Sequence, residues 1–391
     1  MAFEPERFRD PTIPAVAVQH TGGTTKQPLL VQRGAGELAY IDEFFRTVIH
    51  ELGYQDEAPL CISVLGSFHG DPTPMPYPGP TFKLDVNDDY WDLKTLLSSP
   101  KKVIGREIKD IIVVGLESQL RILTCRLIEE RFDFSSSLVR SLHSTGDLVT
   151  SRLRHFYETT WGCVLSSRYS MSEVVGGAEV CKRCGHYHCD THIIGEVVDP
   201  ARGTLITEGV GVLVLTCLYP FVQKQPFIRY RTGDLVKLGP NTCPIDSLAF
   251  KLCGRELHSI FDPNSTFPTP LVIGAEVYDV LDDIPDVGLS EFTHVFRSLD
   301  GLPDRKDLGH LKYKVELLKD GKNSVLELTV ELRYTCYLYP KATEKVLKEI
   351  RSRILARHEY LKSRVASGEV LFRVRSALPG RLNHVQVDEA E

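Results

Sequence analysis

Short runs of β-branched apolar residues alternate with helical patterns along the first half of this chain, and this alternation constrains its fold most. Residues 60–65 and 110–115 are such runs, each closed by a glycine, and a helical pattern at 117–131 follows the second. A second helical pattern at 147–161 precedes a strand pattern at 163–168. Strands buried on both faces of a parallel sheet have continuous apolar runs, and helices connect them. The sequence therefore predicts an α/β fold with a largely parallel sheet.

The pattern changes after this part of the chain. Short strand patterns separated by turn residues follow at 193–198, 211–218, 228–231 and 235–238. Strands this short with turns between them are typical of an antiparallel sheet or a small barrel. We therefore expect a large domain with a mostly parallel part and a smaller antiparallel or barrel-like part. A helical pattern at 37–53, closed by Gly53, belongs to the same domain.

A second, smaller unit follows a segment rich in Pro, Ser and Thr at 262–270. Its helix and strand patterns predict a compact α+β unit, and they lie at 276–283, 313–318, 325–332, 342–365 and 370–374. A chain of 391 residues is long enough for two or three domains. We place the large domain at residues 1–255 and the small C-terminal α+β domain at 256–391.

Charge and hydropathy exclude several classes of function. The chain has 46 basic and 52 acidic residues, a net charge of −6, and no block of like charges. This balance argues against a protein that binds nucleic acid or an anionic membrane surface. No apolar run approaches the roughly 20 residues that span a bilayer, and the N-terminus lacks the pattern of a signal peptide. We expect a soluble cytoplasmic protein.

Cysteine and histidine crowd into one short segment, CKRCGHYHCDTH at 181–192. A Cys-x-x-Cys turn directs two thiolates to one point, as tetrahedral zinc requires, and the further His and Cys residues nearby favour a metal. A redox pair is the alternative for the Cys-x-x-Cys alone, and a metal-free cluster is the alternative for the whole segment. The cysteines at 61, 125, 163, 217 and 336 have apolar surroundings and are typical of buried thiols in a reducing compartment.

Four further segments carry candidate chemistry. The loop HTGGTTKQP at 20–28 has the glycines, hydroxyls and lysine that wrap a polyphosphate, although it is not the P-loop pattern. YSMSE at 169–173 offers an aromatic ring and a carboxylate after a strand. RYRTGD at 229–234 combines two arginines with an aspartate, and Gly254-Arg255 follows about twenty residues later.

In this order and spacing the segments resemble the adenylate-forming superfamily, and within it the phenylacetate–CoA ligase-like branch. The branch is indicated by YSMSE leading through the Cys/His segment to GEVVDP at 195–200, and by FIRYRTGDL at 227–235 continuing to Cys243-Pro244. LPGR at 378–381 is similar to the closing loop of the family. The resemblance runs from about His20 to the C-terminus.

The resemblance implies a role for each matching position. The loop would be the mobile phosphate loop for ATP, with residues Thr21, Gly22, Gly23, Thr24, Thr25 and Lys26. Tyr169, with Ser170 and Ser172, would flank the adenine, and Glu173 would reach the Mg²⁺ that neutralises the phosphates. Asp234 would hold the ribose hydroxyls, and Arg255 would lie near the ribose or phosphate at the domain hinge. Gly146 and Asp147 fall where relatives separate the acid pocket from the nucleotide. Taken singly, Tyr169 could equally be a core aromatic residue, and Asp234 a turn former.

Several members of the branch hold a structural zinc with a Cys, a His and a later Cys-Pro-Cys pair. This chain has Cys243-Pro244, but Ile245 replaces the second cysteine of that pair. We therefore expect a local replacement, with Cys181, Cys184, His188 and Cys243 as the zinc ligands. Cys189 and His186 are the substitutes. Four protein ligands leave no open position for a substrate, so the zinc would be structural.

The chain departs from the family pattern at three places. Only 19 residues precede His20, where relatives have a longer stretch, so a shortened N-terminal subdomain is expected, which favours a homodimer that covers the exposed core. The family's Gly-Arg-x-Asp-Asp hinge becomes Gly254-Arg-Glu-Leu-His258. Arg381 stands where the family's transition-state lysine is expected; it keeps the positive charge, but its planar fork differs, and a solvated surface arginine is the alternative.

The resemblance implies ATP-dependent activation of a small carboxylic acid, with aromatic acids among the candidates, as acyl-AMP, with pyrophosphate released. The acyl group would pass to CoA, to the phosphopantetheine of a carrier protein, or to an amine. Lys26, Glu173 and Arg381 would be the catalytic residues. The alternative is a catalytically weakened relative that binds a nucleotide, an acyl-adenylate or a partner protein, or that performs only the second half-reaction.

Overall fold

The fold is known from a computed structural model of the chain. The structure describes residues 5–20, 29–51, 59–64, 77, 79–84, 93–103, 105–146, 148–239, 243–289, 310–320 and 323–382. In the first half of the chain the elements are β1 (Ala17–His20), β2 (Leu30–Arg33), α1 (Ala35–Glu51), β3 (Leu60–Ser63), β4 (Thr81–Lys83), α2 (Leu93–Ser98), β5 (Lys101–Val103), β6 (Arg106–Ile108), β7 (Ile111–Gly115), α3 (Glu117–Glu129), β8 (Val139–Thr145), α4 (Ser151–Trp161) and β9 (Val164–Ser170).

The second half begins with eight strands and ends in a unit of three helices and three strands. In chain order the elements are β10 (Gly177–Val180), β11 (Tyr187–Cys189), β12 (Ile193–Val198), β13 (Val210–Cys217), β14 (Tyr230–Leu238), β15 (Ala249–Arg255), β16 (Ile260–Phe261), β17 (Pro270–Val272), α5 (Gly274–Asp282), β18 (Tyr313–Asp320), β19 (Asn323–Glu331), α6 (Pro340–Arg357), α7 (Glu359–Ala366) and β20 (Val370–Ala377).

One mixed sheet organises most of the molecule. Within the described residues it has eleven strands in the order β12-β13-β14-β15-β11-β10-β9-β8-β7-β3-β4. Strands β4, β3, β7, β8 and β9 are mutually parallel, and β10 reverses the direction by pairing antiparallel with β9. The remaining strands are antiparallel. The predicted α/β class is confirmed, and the predicted antiparallel part is present as a continuation of the parallel sheet.

Helices α3 and α4 cover one face of the parallel strands. Leu123 and Leu127 of α3 and Tyr157 of α4 are fully buried against Val113 and Leu142 of the sheet. A second core lies over the antiparallel strands, where α1 packs its apolar residues. Both helices after β7 and β8 therefore connect parallel strands, as the sequence alternation predicts.

The C-terminal part has a core of its own. Strands β18, β19 and β20 form a three-stranded sheet, with β18 and β19 antiparallel and β19 and β20 parallel. Helices α5, α6 and α7 contribute Leu281, Ile350 and Leu361 to the same buried cluster. The α+β architecture predicted for this unit is thus present.

Two predicted elements differ from the structure. Residues 228–231 and 235–238 were expected to be two strands, but β14 is one strand from Tyr230 to Leu238. Gly233, at φ 73°, lies where the pairing of β14 with β13 shifts register, so Thr232-Gly233 forms an irregularity inside the strand and not a turn between strands.

The helix predicted at 342–365 is interrupted at His358. This residue has φ −115° and ψ 82°, and α7 begins immediately after it. The buried His358 ring accepts a hydrogen bond from the backbone N–H of Ile273, with a 3.1 Å distance from nitrogen to Nε2. A contact with a distant part of the chain therefore fixes the break, and no local sequence signal predicts it.

Candidate functional site

The candidate nucleotide site begins at the carboxyl end of β9, which carries Tyr169 and Ser170. Gly177 of β10 pairs with Ser170, and a Cβ at Gly177 would lie 1.8 Å from the carbonyl oxygen of Tyr169. Only glycine permits this approach of the two backbones. The YSMSE segment therefore turns back on itself immediately after the strand, which places its side chains at the edge where the parallel strands end.

Tyr169, Asp234 and Arg255 come together in the folded chain. The Tyr169 hydroxyl donates to Asp234 Oδ2 at 2.7 Å, and Arg255 Nε lies 3.1 Å from Asp234 Oδ1. Asp234 and Arg255 are register partners on β14 and β15. Arg255 Nη1 also donates to the carbonyl oxygen of Thr232 at 3.1 Å. The neighbouring strands thus hold the aspartate between an aromatic hydroxyl and a guanidinium.

Burial dominates the electrostatics of this trio. It raises the pKa of the Asp234 carboxyl, and Arg255 and the Tyr169 hydroxyl oppose that shift by stabilising the carboxylate. It also raises the pKa of Tyr169 well above its usual value, so the phenol stays protonated and keeps donating. Asp234 is a carboxylate largely removed from water, and such a group gains when it accepts hydrogen bonds from a ligand's hydroxyls.

Glu173 lies beside this trio and accepts a hydrogen bond from Tyr230. The Tyr230 hydroxyl donates to Glu173 Oε1 at 2.7 Å. The sequence analysis did not select Tyr230, although it lies inside the FIRYRTGDL segment. The two arginines that flank it point elsewhere, since Arg229 pairs with Glu196 and Arg231 with Glu256 at 3.4 and 2.8 Å. Strand alternation was the available signal, because it places Tyr230 on the face of β14 opposite to Arg231.

Two hydroxyls link YSMSE to the neighbouring strand. Thr145 Oγ1 and Ser170 Oγ are 2.6 Å apart, and Thr145 ends β8 immediately before Gly146. Gly146 has φ 83°, and a Cβ there would lie 2.7 Å from the Leu116 side chain. The carbonyl oxygen of Ser172 accepts a hydrogen bond from Arg33 at 2.7 Å. Gly146, Ser170 and Ser172 therefore lie close to one another at the carboxyl ends of β8 and β9.

Some predicted residues lie outside the described part of the chain. These are Asp147 and the phosphate-loop residues Thr21, Gly22, Gly23, Thr24, Thr25 and Lys26. The structure describes the hairpin that flanks the loop, in which His20 of β1 pairs with Leu30 of β2.

Arg381 occupies a turn after β20, and its backbone N–H donates to Glu331 Oε2 at 3.0 Å. Arg381 is exposed, and no hydrogen bond or ion pair within the described residues joins it to Tyr169, Asp234 or Glu173. Glu256, next to the candidate hinge, accepts from Arg231 with both oxygens at 2.8 and 2.9 Å. The structure thus does not bring Arg381 to the nucleotide cluster.

A second site lies in the Cys/His segment. The ligand atoms of Cys181, Cys184, His188 and Cys243 all lie within 4.8 Å of one another. The Cys181 and Cys243 sulfurs are 3.8 Å apart, and Cys184 Sγ lies 3.2 Å from His188 Nε2. In a tetrahedral site with Zn–S bonds of about 2.3 Å, two sulfurs are separated by about 3.8 Å. The four side chains therefore fit a tetrahedral metal.

The surroundings orient these side chains. The β10–β11 hairpin closes with a bond from the Cys181 N–H to the His186 carbonyl oxygen at 2.8 Å, and Ser247 Oγ lies 3.3 Å from His188 Nδ1. A partner on Nδ1 leaves Nε2 free to bind a metal. The two substitutes lie outside the cluster. Cys189 is buried, which raises its pKa to about 12, and His186 Nδ1 lies 2.9 Å from the Cys184 carbonyl oxygen.

Among the helices that the structure describes, none has the length and apolar character needed to cross a bilayer.

Comparison with known proteins bears on the family of the chain. No protein-family model matches it. It is 24% identical over 204 residues to a phenylacetate–coenzyme A ligase of Pseudomonas putida, covering 51% of this chain and 40% of that protein. It is 35% identical over 111 residues to a phenylacetate–coenzyme A ligase of Thermus thermophilus, covering 27% of this chain and 23% of that protein. The match spans less than half the length of each relative.

Solved structures cover nearly the whole chain. A 2-hydroxyisobutyryl-CoA ligase in an open conformation, with 2-HIB-AMP and CoA bound, has a TM-score of 0.64 at 16% identity and covers 96% of this chain and 74% of that one. ATP-bound MatB from Rhodopseudomonas palustris has a TM-score of 0.58 at 15% identity, covering 92% of this chain and 64% of that one. Likeness at this identity establishes the fold. The sequence matches add that parts of the chain are similar to phenylacetate–coenzyme A ligases.

Proposed function

We propose that the protein activates a small carboxylic acid with ATP, forming acyl-AMP and pyrophosphate, and then transfers the acyl group to CoA. The observation that carries this proposal is the Tyr169–Asp234–Arg255 contact beside Glu173, on a fold shared with ligases solved with ATP, acyl-AMP or CoA. Relatives named phenylacetate–coenzyme A ligase support CoA as the acceptor over a carrier protein or an amine. They also support an aromatic acid as the first substrate to try.

The first half-reaction is a displacement at phosphorus. A carboxylate oxygen of the acid attacks the α-phosphorus of ATP, an O–P bond forms, and the bond from that phosphorus to the oxygen bridging to the β-phosphate breaks. Pyrophosphate leaves with the bonding electron pair. Such a step needs mainly positioning and neutralisation of charge.

Each residue of the cluster has a role in this step. Asp234 would accept hydrogen bonds from the ribose hydroxyls, and Tyr169, held by Asp234, would flank the adenine. Arg255 stabilises the Asp234 carboxylate against the effect of burial and adds positive charge nearby. Glu173 would hold a Mg²⁺, which neutralises phosphate charge when bound, and Tyr230 fixes the orientation of that carboxylate. Lys26 and the loop from Thr21 would wrap the phosphates.

The second half-reaction breaks the bond between the acyl carbon and the AMP oxygen. The CoA sulfur, as thiolate, adds to the carbonyl carbon, and AMP leaves with its electron pair while the thiol proton goes to solvent. No residue of the described cluster needs to change its protonation state in this step.

The Cys/His cluster would hold a structural zinc. Four donors, three sulfurs and one imidazole nitrogen, complete a tetrahedral shell, so no position remains for a substrate. The ion would join the β10–β11 hairpin to the segment that precedes β15.

A pyrophosphate-release assay tests the proposed activity. A panel of aryl and short-chain acids is supplied with Mg·ATP and either CoA or hydroxylamine, which traps acyl-AMP. We expect release with at least one acid, formation of its CoA thioester, and loss of both with Glu173→Gln. If folded protein that contains zinc released no pyrophosphate with any acid of the panel, the proposal would be contradicted.

The position of Arg381 supports a second candidate, a relative that binds the nucleotide but adenylates poorly. This candidate expects that calorimetry detects ATP binding without turnover, or that synthetic acyl-AMP with CoA gives thioester while acid with ATP gives none. Arg381→Lys separates the two candidates. A large gain in adenylation would show that this position reaches the active site in another arrangement of the C-terminal unit.

A further inference from the structure

Arg33 is a buried cation next to the candidate nucleotide site. It is the last residue of β2, in the hairpin that flanks the candidate phosphate loop, and only 2% of its surface is exposed. Its Nη2 donates to the carbonyl oxygen of Ser172 at 2.7 Å. It therefore ties the hairpin to the segment that ends in Glu173.

The charge of Arg33 has no close counter-ion in the described part of the chain. Within those residues no carboxylate forms an ion pair with it, and its Nη1 has no hydrogen-bond partner. Glu37, buried nearby, accepts from the backbone N–H of Gly34 at 2.5 Å and of Gln223 at 2.6 Å. Burial lowers the pKa of Arg33, while the negative charges of Glu37 and Glu173 oppose this.

A buried guanidinium with an unused donor is an unfavourable arrangement unless an anion completes it. Both oxygens of Glu37 accept hydrogen bonds from backbone N–H groups, so Glu37 does not pair with the Arg33 guanidinium. Glu173 is the other carboxylate whose field acts on Arg33, and its Oε1 accepts from Tyr230. Within the described residues no further carboxylate acts on Arg33, so a bound anionic ligand would supply the missing charge.

We propose that Arg33 is a positioning residue for the phosphate half of the nucleotide. It fixes the Ser172–Glu173 segment against the base of the loop hairpin, and its charge is matched when a triphosphate enters. This inference rests on the proposed function. Among the described residues, no hydrogen bond or ion pair joins Arg33 to Tyr169, Asp234 or Arg255, and its hydrogen bond to Ser172 places it towards Glu173 and the phosphate end of the site.

The position of Arg33 predicts an effect that distinguishes ATP from AMP. A merely structural arginine would weaken both ligands equally when replaced, because the whole site would loosen. A positioning residue of the phosphate end would weaken Mg·ATP by about tenfold or more, the usual range for a hydrogen bond to a charged group, and AMP much less. The kcat for pyrophosphate release should fall together with the apparent affinity for Mg²⁺.

Calorimetric titration with Mg·ATP and with AMP tests the inference on the full chain. The variants are Arg33→Met, which removes the charge, and Arg33→Lys, which keeps the charge but loses the fork. Arg121→Lys is the matched control, since Arg121 is also a buried arginine, 7% exposed, and pairs with Glu117 on α3 at 3.3 Å. We expect selective loss of ATP affinity in Arg33→Met, a smaller selective loss in Arg33→Lys, and none in Arg121→Lys.

Equal loss of ATP and AMP affinity, or none, in folded Arg33 variants would overturn the role of Arg33 while the proposed function stands. A wild-type protein that binds AMP and ATP equally weakly, without turnover, would overturn both. If Arg33→Met fails to fold, the affinities of Arg33→Lys and Arg121→Lys for Mg·ATP and AMP decide whether Arg33 has this role. Both of these variants retain a buried cation.

Discussion

Asp234 is a buried carboxylate whose neighbours keep it available to a ligand. Its side chain is 13% exposed, while the Arg255 side chain is 41% exposed and partly solvated. Burial therefore outweighs the attraction of Arg255, and the pKa of Asp234 rises. The folded protein holds this carboxylate at a cost, which suggests that the residue is retained for binding and not for stability.

Asp234→Asn should leave stability unchanged or raise it, yet weaken AMP binding by about tenfold or more. Between the ordinary carboxyl pKa of 3.8 and the raised pKa of folded Asp234, the folded wild-type protein holds a proton that the unfolded chain has lost. The free energy of unfolding of wild type therefore falls relative to that of the variant as pH rises from 3.8 through the raised pKa of Asp234. Thermal unfolding at several pH values and calorimetry with AMP measure the two effects.

The control for this change is Asp110→Asn, which breaks the Arg140–Asp110 pair at 2.7 Å on the surface. It should change neither AMP binding nor the pH dependence. A variant of Asp234 that is clearly destabilised at pH 7 and binds AMP normally would contradict the assignment.

The β10–β11 hairpin, as an element, depends on a partner far along the chain. Three candidate ligands lie in or beside its turn, but Cys243 arrives because β15 pairs with β11. Cys-x-x-Cys is a local signal, so the first three ligands could be selected from spacing. Cys243 could be selected only through the family resemblance, because neither segment has a sequence pattern that predicts the pairing of β11 with β15.

Cys243→Ser should abolish the binding of one zinc ion per chain and lower the unfolding temperature by roughly 5 °C. The loss follows because zinc would bind only the folded arrangement of the four donors. Metal analysis by mass spectrometry and calorimetry measure both effects. A chelator should shift wild type to the same temperature.

Cys336→Ser is the matched control, because Cys336 is a partly exposed free cysteine outside the cluster. It should retain zinc and unfold as wild type does. A wild-type protein that contains no zinc, or a Cys243→Ser protein with its zinc content intact, would contradict this prediction.

At the scale of the whole molecule, the C-terminal core touches the large sheet through α4 and α5. Asp282, whose side chain is 4% exposed, accepts from Thr150 Oγ1 at 2.6 Å and from Arg152 Nη2 at 2.7 Å. The N–H of Ser151 donates to Asp279 Oδ1 at 2.8 Å. Asp279 therefore caps the start of α4, and Asp282 holds the side chains of Thr150 and Arg152 at the same end of the helix.

Asp282→Ala should lower the stability by about 2 kcal/mol, because Thr150 and Arg152 lose their shared acceptor. It should also uncouple the unfolding of the C-terminal unit from that of the large sheet, giving two transitions in scanning calorimetry. This tests the division into residues 1–255 and 256–391, which stays a prediction.

The control is Asp283→Ala. Asp283 is the next residue, 56% exposed, and pairs with Arg353 of α6 inside the same unit. It should leave a single transition near that of wild type. Two transitions in both variants, or in neither, would show that Asp282 does not couple the units.

The sequence by itself determined what depends on short-range chemistry. Side-chain periodicity places α3, α4 and the strands beside them, and the Cys-x-x-Cys turn directs thiolates to one point within a few residues. The motif order resembles that of the adenylate-forming superfamily, and this resemblance selects Tyr169, Glu173, Asp234 and Arg255, which the structure brings together.

Only the tertiary structure decided which strands are neighbours and what each buried polar group meets. Strand pairing joins segments through backbone hydrogen bonds that every residue can make, so sequence carries little record of it. Such contacts explain three features of the fold. They join the parallel and antiparallel strands through β10, interrupt the helix at His358, and link Arg33 to the Ser172 carbonyl oxygen. The position of Arg381 has the same origin, since its backbone N–H donates to Glu331, fifty residues away in the chain.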